Sequence, residues 1–564
     1  MLKIKSSYTL LFCLLCGINL LSAQNQEEDK LIFKALQDEL NRNKNELYLP
    51  GFDKPFFISY TFNRAHSFEI SASLGALISS LESPRSSVAS IRLLQGNYHL
   101  NNEFKYYGQF TDIRMPCEAD YNIIRRNLWM GTDIVYKNAL QEYANKTAYF
   151  KENPIAKGET YPDDLSKIKP VVYLPASKPA FHFDRRKWED NLRELSAIFK
   201  NYPDFFNSSV NLGGAEIDIY KQTTEGSRLK HSQSYVMLSV QASLRSEDGI
   251  LFGDVWSTIA SNPDDLPDIE ELKKQIIAFS DNLIRLKNAE PISEYYSGPI
   301  LFEDDACEQI FSDNLLNYNS LFAKRKLDAR ESGKTLEKRI GKKIIDSRLT
   351  IKNYSSLDKY KNISLLGAYE IDAEGVVPAQ EITLVENGIL THLLNGRYPT
   401  KYTTESTGSS RYTLSVGRIS FTTAPGTLHI SAKDGLKPEK MKKALIKAAR
   451  EEGLDYAYIV RKFAGQASLV YKVDVKDGKE TMVRAGNFSP INLPKLKRLL
   501  AISAKERISN YILNQEVLTS LICPSAILVE DIEINPSELR KSKEPYLQPI
   551  ITQYFASNKS EIWP

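Results

Sequence analysis

Gly367-Ala368-Tyr369-Glu370-Ile371-Asp372-Ala373-Glu374-Gly375-Val376-Val377-Pro378-Ala379-Gln380 leads, three residues later, into Leu384-Val385-Glu386-Asn387-Gly388-Ile389-Leu390. Asn387-Gly388 accepts the positive φ angles of a tight primed turn, so Glu381–Val385 and Ile389–Leu394 read as a hairpin. Asp372 and Glu374 are paired carboxylates in isolation, but a tight turn entering a strand explains them more simply. Downstream, Asp477-Gly478 between Val473–Val475 and Thr481–Val483 repeats the hairpin signal. The two hairpins are separated by a helix from Pro438 to about Glu452, closed by Gly453.

Upstream of these hairpins the pattern changes. Leu31, Ile32, Leu36 and Leu40 recur at helical spacing within residues 27–47. Strand-like runs follow at Phe56–Phe62, Phe68–Leu74 and Ser87–Leu94, then a less regular stretch rich in Tyr, Asn and Lys to about residue 180. Trp188, Leu192, Leu195 and Phe199 form a helical stripe with Asp184 as its cap. Strands resume at Val210–Tyr220 and Ser234–Ala242. From Pro267, Ile269, Leu272, Ile276, Phe279, Leu283 and Leu286 define a long helix. Residues 288–298, with Pro291 and Gly298, read as a link.

At 564 residues the chain exceeds one ordinary core, and the size prior is roughly two to four domains. Lys3 and Lys5, the apolar run Tyr8–Leu21 and Ser22-Ala23-Gln24 read as a signal peptide cleaved after Ala23, which implies a periplasmic protein. Leu14-Leu15-Cys16-Gly17 departs from a lipoprotein signal at Leu15, where a small residue is expected. Tyr8–Leu21 is shorter than the roughly 20 apolar residues of a spanning helix, and no later run matches it, so no integral membrane segment is expected after cleavage. Loss of Lys3 and Lys5 takes the formal charge from +3 to about +1, and no basic block interleaves with aromatics, which argues against nucleic acid. Cys117, Cys307 and Cys523 remain, an odd and widely spaced set that implies neither a disulfide framework nor a zinc finger, and their redox state stays open.

The block from Gly367 to Leu390 resembles the Asp-x-Glu-Gly turn and Glu-Asn-Gly hairpin of the TldD/PmbA family of metallopeptidase-like proteins. Thr407-Gly408-Ser409-Ser410-Arg411 is similar to that family's Thr-Gly-Asn-Gly-Arg loop, and Arg418 to Gly426 to its Arg-to-Pro-Gly strand. Tyr235–Val255 resembles the family's N-terminal hairpin before the long helix. The resemblance implies an α+β fold: a signal peptide at 1–23, an N-terminal α/β domain at 24–290 with long helices packed on a sheet, and a β-rich C-terminal domain at 291–564.

Catalytic members of the family carry His-Glu-x-x-x-His after a short apolar strand. Here Ser297-Gly298-Pro299-Ile300-Leu301-Phe302-Glu303-Asp304-Asp305-Ala306-Cys307 puts Phe302 and Cys307 where the histidines would stand, and keeps only Glu303. Two closely placed imidazoles fix zinc, and the glutamate takes the proton of the metal-bound water. Phe302 cannot ligate, and one thiolate, Cys307, cannot hold zinc alone. Asp305 and Glu308 also fit a capping box, the preferred reading of the acids, with Cys307 packed as a small hydrophobe. His66, His99, His182, His231, His392 and His429 nowhere pair at ligand spacing. The resemblance implies a metal-free, non-catalytic partner of a homologous TldD-type subunit, or a homodimer, with no cofactor. Glu303 is then the retained catalytic-motif residue, and Gly408, Ser409 and Arg411 the candidate contacts to a peptide. Two alternatives stay open: an active peptidase with zinc in a rearranged site using Glu303 and Cys307, and a stand-alone peptide-binding protein.

Overall fold

The computed structural model describes residues 26–103, 111–154, 160–175, 183–316, 320–324, 336–514 and 516–537. The expected signal segment, residues 1–23, and His182 lie outside them.

Long alternating strands build a seven-stranded sheet from the N-terminal part. Its order runs Thr111–Met115, Ala76–Leu94, Phe57–Ser73, Phe205–Thr223, Arg228–Arg245, with Val172–Tyr173 and Leu251–Ala260 both pairing the last of these. The central pairing keeps one register from Ser59↔Thr223 to Ala72↔Val210, so side chains alternate strictly between the two faces. One face, carrying Ile58, Tyr60 and Phe62, is covered by helix 26–46 through Ile32 and Leu36 and by Tyr121–Glu152 through Ile124, Leu128 and Tyr136. Further along that face, Phe68, Ile70, Val236 and Leu238 meet Arg185–Ala197 and Ile269–Lys287. The caps form as the sequence predicts: Asp184 accepts from Lys187 N–H at 3.1 Å and Asp268 from Glu271 N–H at 2.9 Å.

The 32-residue helix Tyr121–Glu152 falls in the stretch that the sequence pattern leaves irregular. Its N-cap, Asp120, accepts from Ile123 N–H at 2.8 Å. The apolar stripe is blurred because Ile123, Trp129, Met130 and Ile134 point outward while Ile124, Leu128 and Val135 point in.

Beyond residue 290 two sheets face each other. An eight-stranded sheet centres on Tyr296–Glu303, flanked by Ala526–Asn535 and by Tyr456–Lys462. A six-stranded sheet contains Leu349–Tyr354 between Glu381–Glu386 and Thr427–Ala432. Ile300, Phe302, Ile351, Leu384 and Leu428 meet in the core between them, with helix Asp304–Leu315 contributing Cys307 and Phe311. On the outer face, Leu301 packs under helix Pro438–Glu451 through Met441 and Leu445. The Asn-Gly hairpin forms with Asn387 at φ 46° and Gly388 at φ 80°, although its second strand spans only Ile389–Leu390. Asp346 clips the sheets together: both its oxygens are held by Arg348 (2.9 and 3.0 Å), and it accepts from Leu499 N–H at 2.9 Å.

The other face of the N-terminal sheet, carrying Ala65, Ala215, Ile217 and Ile219, packs against Ala373, Tyr412 and Ile419 of the C-terminal half. Charges are buried in this seam. Arg92 from the sheet grips Glu103 with two nitrogens (2.8 and 3.0 Å) and gives its third to Glu374 at 2.8 Å. Glu374 also accepts from Arg397 N–H at 3.0 Å and Ser410 Oγ at 2.9 Å. Arg397 reaches back to Glu225 (2.7 and 2.8 Å) and Ser166 O, and Lys221 donates to Ala373 O at 2.7 Å.

Breaking a buried pair from one side leaves an uncompensated charge, so Glu374→Gln is expected to cost about 3–5 kcal/mol, read as a lowered urea midpoint. Asp346 gives a pH signature. Burial alone would raise it, but Arg348 and the N–H groups of Leu499 and Arg348 hold it down to about 2 against an ordinary 3.8. Its clip is therefore fully present above the ordinary value and is lost as pH falls toward about 2. Asp346→Asn should flatten the dependence of melting temperature on pH in that acid window.

Candidate functional site

Strand Tyr296–Glu303 ends in a sharp turn. Asp304 adopts φ 49°, a left-handed conformation that Asp tolerates better than most residues, and its N–H donates to Ser525 O at 2.9 Å. Phe302 pairs across the sheet with Val460 and Ile527 and points into the core, fully buried, its ring 5.8 Å from that of Phe463. Cys307 lies one turn into the helix, also fully buried, and its thiol donates to Pro524 O at 3.1 Å. Burial, with the neighbouring Cys523 thiol, pushes this thiol well above its ordinary pKa.

Glu303, the residue expected to be the motif's glutamate, stands at the start of the helix. Its carboxylate accepts from Arg461 Nε at 3.0 Å, and Arg461 extends to Glu480 at 2.9 Å, with its guanidinium 4.5 Å from the centroid of the Tyr471 ring. Burial raises the Glu303 carboxyl above its usual range, against the lowering effect of Arg461. The capping box expected from Asp305 and Glu308 does not form: the helix cap is Glu303, which makes no side-chain capping bond. Both acids instead bind Arg507, which pairs with Asp305 and meets Glu308 at 2.6 Å, while Ser509 Oγ donates to Glu308 at 2.5 Å. A guanidinium satisfies two carboxylates more fully than helix-end amides do.

These residues do not fit zinc. Phe302 offers no donor, the Cys307 thiol is committed to a carbonyl in an environment that disfavours its thiolate, and Glu303 is held by Arg461. Among the described residues no three His, Cys, Asp or Glu side chains lie together as a metal site. The described histidines have partners elsewhere, His66 with Glu82, His99 with Asp163, His429 with Glu506 and His392 with Thr383 O, while His231 packs against Tyr412.

The loop at 407–411 turns inward, in contrast to the peptide-contact role expected for it. Arg411 is 5% exposed, donates to the carbonyls of Gly367, Pro425 and Leu518 at 3.0, 2.9 and 3.4 Å, and stacks over Tyr369. Gly408, at φ 68°, lies so close to Pro378 that a Cβ would sit 2.8 Å from its Cα, and its carbonyl accepts from Tyr369 Oη at 2.8 Å. Ser409 is buried, with its hydroxyl 2.9 Å from that of Thr407. Beside them, Asp372 accepts from the N–H groups of Glu374 and Val376 at 2.9 and 2.8 Å. Burial and the Glu374 charge push Asp372 up to about 7, while Arg92, Arg397 and Lys221 overcome burial to hold Glu374 down to about 2. The acids of this motif thus organise the seam between the two halves of the chain.

Arg461, Arg507, Arg92 and Arg397 carry these arrangements, and the sequence offers no local sign of them because every partner is remote. Next to Arg461, Lys462 crosses to the N-terminal sheet and binds both oxygens of Asp254 at 2.8 and 2.6 Å. Asp254 belongs to Leu251–Ala260, a strand at the margin of that sheet with Leu251 and Val255 about half exposed. The junction therefore borders a sheet margin.

Residues 296–535 match the PmbA/TldA metallopeptidase C-terminal domain. A protein from Methanothermobacter thermautotrophicus described as a metalloprotease is 31% identical over 178 residues, and this match spans 31% of the chain and about a third (35%) of that relative. The fold is similar to the crystal structure of TldE from Thermococcus kodakarensis, with a TM-score of 0.58 and 14% identity over 89% of this chain and 99% of that one. It is also similar to a protein described as a candidate modulator of DNA gyrase from Thermotoga maritima, with a TM-score of 0.53 and 16% identity over 89% of this chain and 100% of that one. Residues 296–535 thus form a domain of the PmbA/TldA metallopeptidase C-terminal type, the chain as a whole shares its fold with TldE, and its sequence lacks His-Glu-x-x-x-His.

Proposed function

We propose that this chain is an exported, non-catalytic member of the TldD/PmbA family that binds peptide as the partner of a proteolytic subunit. The observation that carries the reading is the burial of Phe302 and Cys307, which occupy the positions of the family's two histidines and serve as core residues. A metallopeptidase needs a metal open to water and a base free to take its proton. Here the carboxylate at the base position, Glu303, is ion-paired with Arg461. What supports peptide binding is the sheet margin at Leu251–Ala260 beside the junction, since a strand edge can take up an extended chain by main-chain pairing. The export half of the proposal rests on the charged start, apolar run and Ser22-Ala23 of the N-terminus. A homologous chain carrying His-Glu-x-x-x-His would supply the metal.

The purified mature chain is expected to hold substoichiometric zinc by elemental analysis and to leave peptides intact, with Glu303→Gln changing neither result. Stoichiometric zinc and peptide cleavage, both lost in Glu303→Gln, would refute the reading. Co-purification with a homologue bearing the complete motif separates a paired subunit from a lone binder. N-terminal sequencing of the protein recovered from the periplasmic fraction should begin at Gln24, and recovery only from the cytoplasm with Met1 intact would remove the export claim.

A further inference from the structure

Among the described residues, strand Leu251–Ala260 pairs with one neighbour only, Arg228–Arg245, in a register that sets Val255 opposite Gln241. Along an antiparallel strand, both main-chain groups of a residue point to the neighbouring strand or away from it, in alternation. Those of Val255 point away. Its N–H donates to the Asp254 carboxylate at 2.8 Å, and its carbonyl accepts from Lys462 Nζ at 3.3 Å. By the same alternation Gly253 and Ser257 turn their main-chain groups to the outer edge, where no strand pairs with them among the described residues.

The two caps are one unit. Lys462 holds both oxygens of Asp254, at 2.8 and 2.6 Å, so a single ion pair gives Val255 the acceptor and the donor that a residue of an added strand would otherwise give it. The side chains of Lys462 and Asp254 are 19 and 11% exposed, and the ammonium lies 6.0 Å from the centroid of the Phe279 ring, so packing holds the pair on the edge. Val255 is 53% exposed, so a chain can reach this edge from solvent. Charged side chains are a common means of denying a sheet edge further strands. Lys462 also ends the strand Tyr456–Lys462 that carries Arg461, the partner of Glu303, which ties the edge to the junction.

We infer that Asp254 and Lys462 form a displaceable plug: an extended peptide pairs with the edge at Gly253, Val255 and Ser257 only after the ion pair has left Val255. This rests on the reading of the margin as the peptide site and adds what regulates entry to it. Displacement breaks the two hydrogen bonds to Val255 while Asp254 and Lys462 stay paired with each other, so the barrier is that of two hydrogen bonds and not of a separated ion pair.

The probe is a fluorescein-labelled peptide of alternating threonine and valine, followed by anisotropy as the purified mature chain is added. Asp254→Ala combined with Lys462→Met removes both caps, leaves no unpaired charge and keeps an apolar stem beside Phe279. With two hydrogen bonds no longer to be broken, this variant should bind the peptide about tenfold or more tighter than the wild type does. Lys462→Met alone, the milder change, should give part of that gain, and it carries the test if circular dichroism shows the double variant misfolded. The same peptide N-methylated at every residue has no donors for strand pairing and should lose the gain. Equal or weaker binding by the variants would overturn the plug and leave the peptide site standing, as would a gain that survives N-methylation. Binding by neither the wild type nor the variants would overturn the plug and the peptide site together.

Discussion

Glu374 is 1% exposed and ionised, and an isolated carboxylate in that position would be too costly to keep. Its partners come from different parts of the chain: the Arg92 guanidinium lies on the N-terminal sheet, while the Arg397 main-chain N–H follows the Asn-Gly hairpin of the C-terminal half. Neither half can satisfy this group alone. The interface is specified by that requirement together with the apolar contacts of Ala215, Ile217 and Tyr412. Everything bordering the seam, including the Arg411 loop, is placed relative to it.

Features with a local cause were legible in the sequence. Asn387-Gly388 takes the positive φ angles that its turn demands, and Asp184 and Asp268 cap the helices that their apolar stripes announce. Helix Tyr121–Glu152 was not legible, because outward-facing Trp129, Met130 and Ile134 mask the inward stripe. The acids after Glu303 show a different kind of miss. Asp305 and Glu308 have capping-box spacing, but Arg507, about two hundred residues downstream, offers stronger partners than the helix amides. Arg411, read from the sequence as a candidate contact to a peptide, is surrounded in the fold by three carbonyls.

The junction at Phe302–Cys307 is a strand feeding a helix, with Phe302 and Cys307 packed in the core. Asp304 makes the left-handed turn, and Glu303 stands at the helix start within an ionic network running through Arg461 and Glu480 to Lys442. At this junction the sheet register and the core depend on shape and apolar surface at Phe302.

The three cysteines among the described residues differ sharply in access. Cys307 and Cys523 lie inside the sandwich with their thiols held protonated by burial, so soluble electrophiles reach neither in the folded state. Cys117 is exposed, three residues before the Asp120 cap of the long helix. Among the described residues Cys117 is therefore the single addressable thiol, where a fluorophore or spin label can be attached.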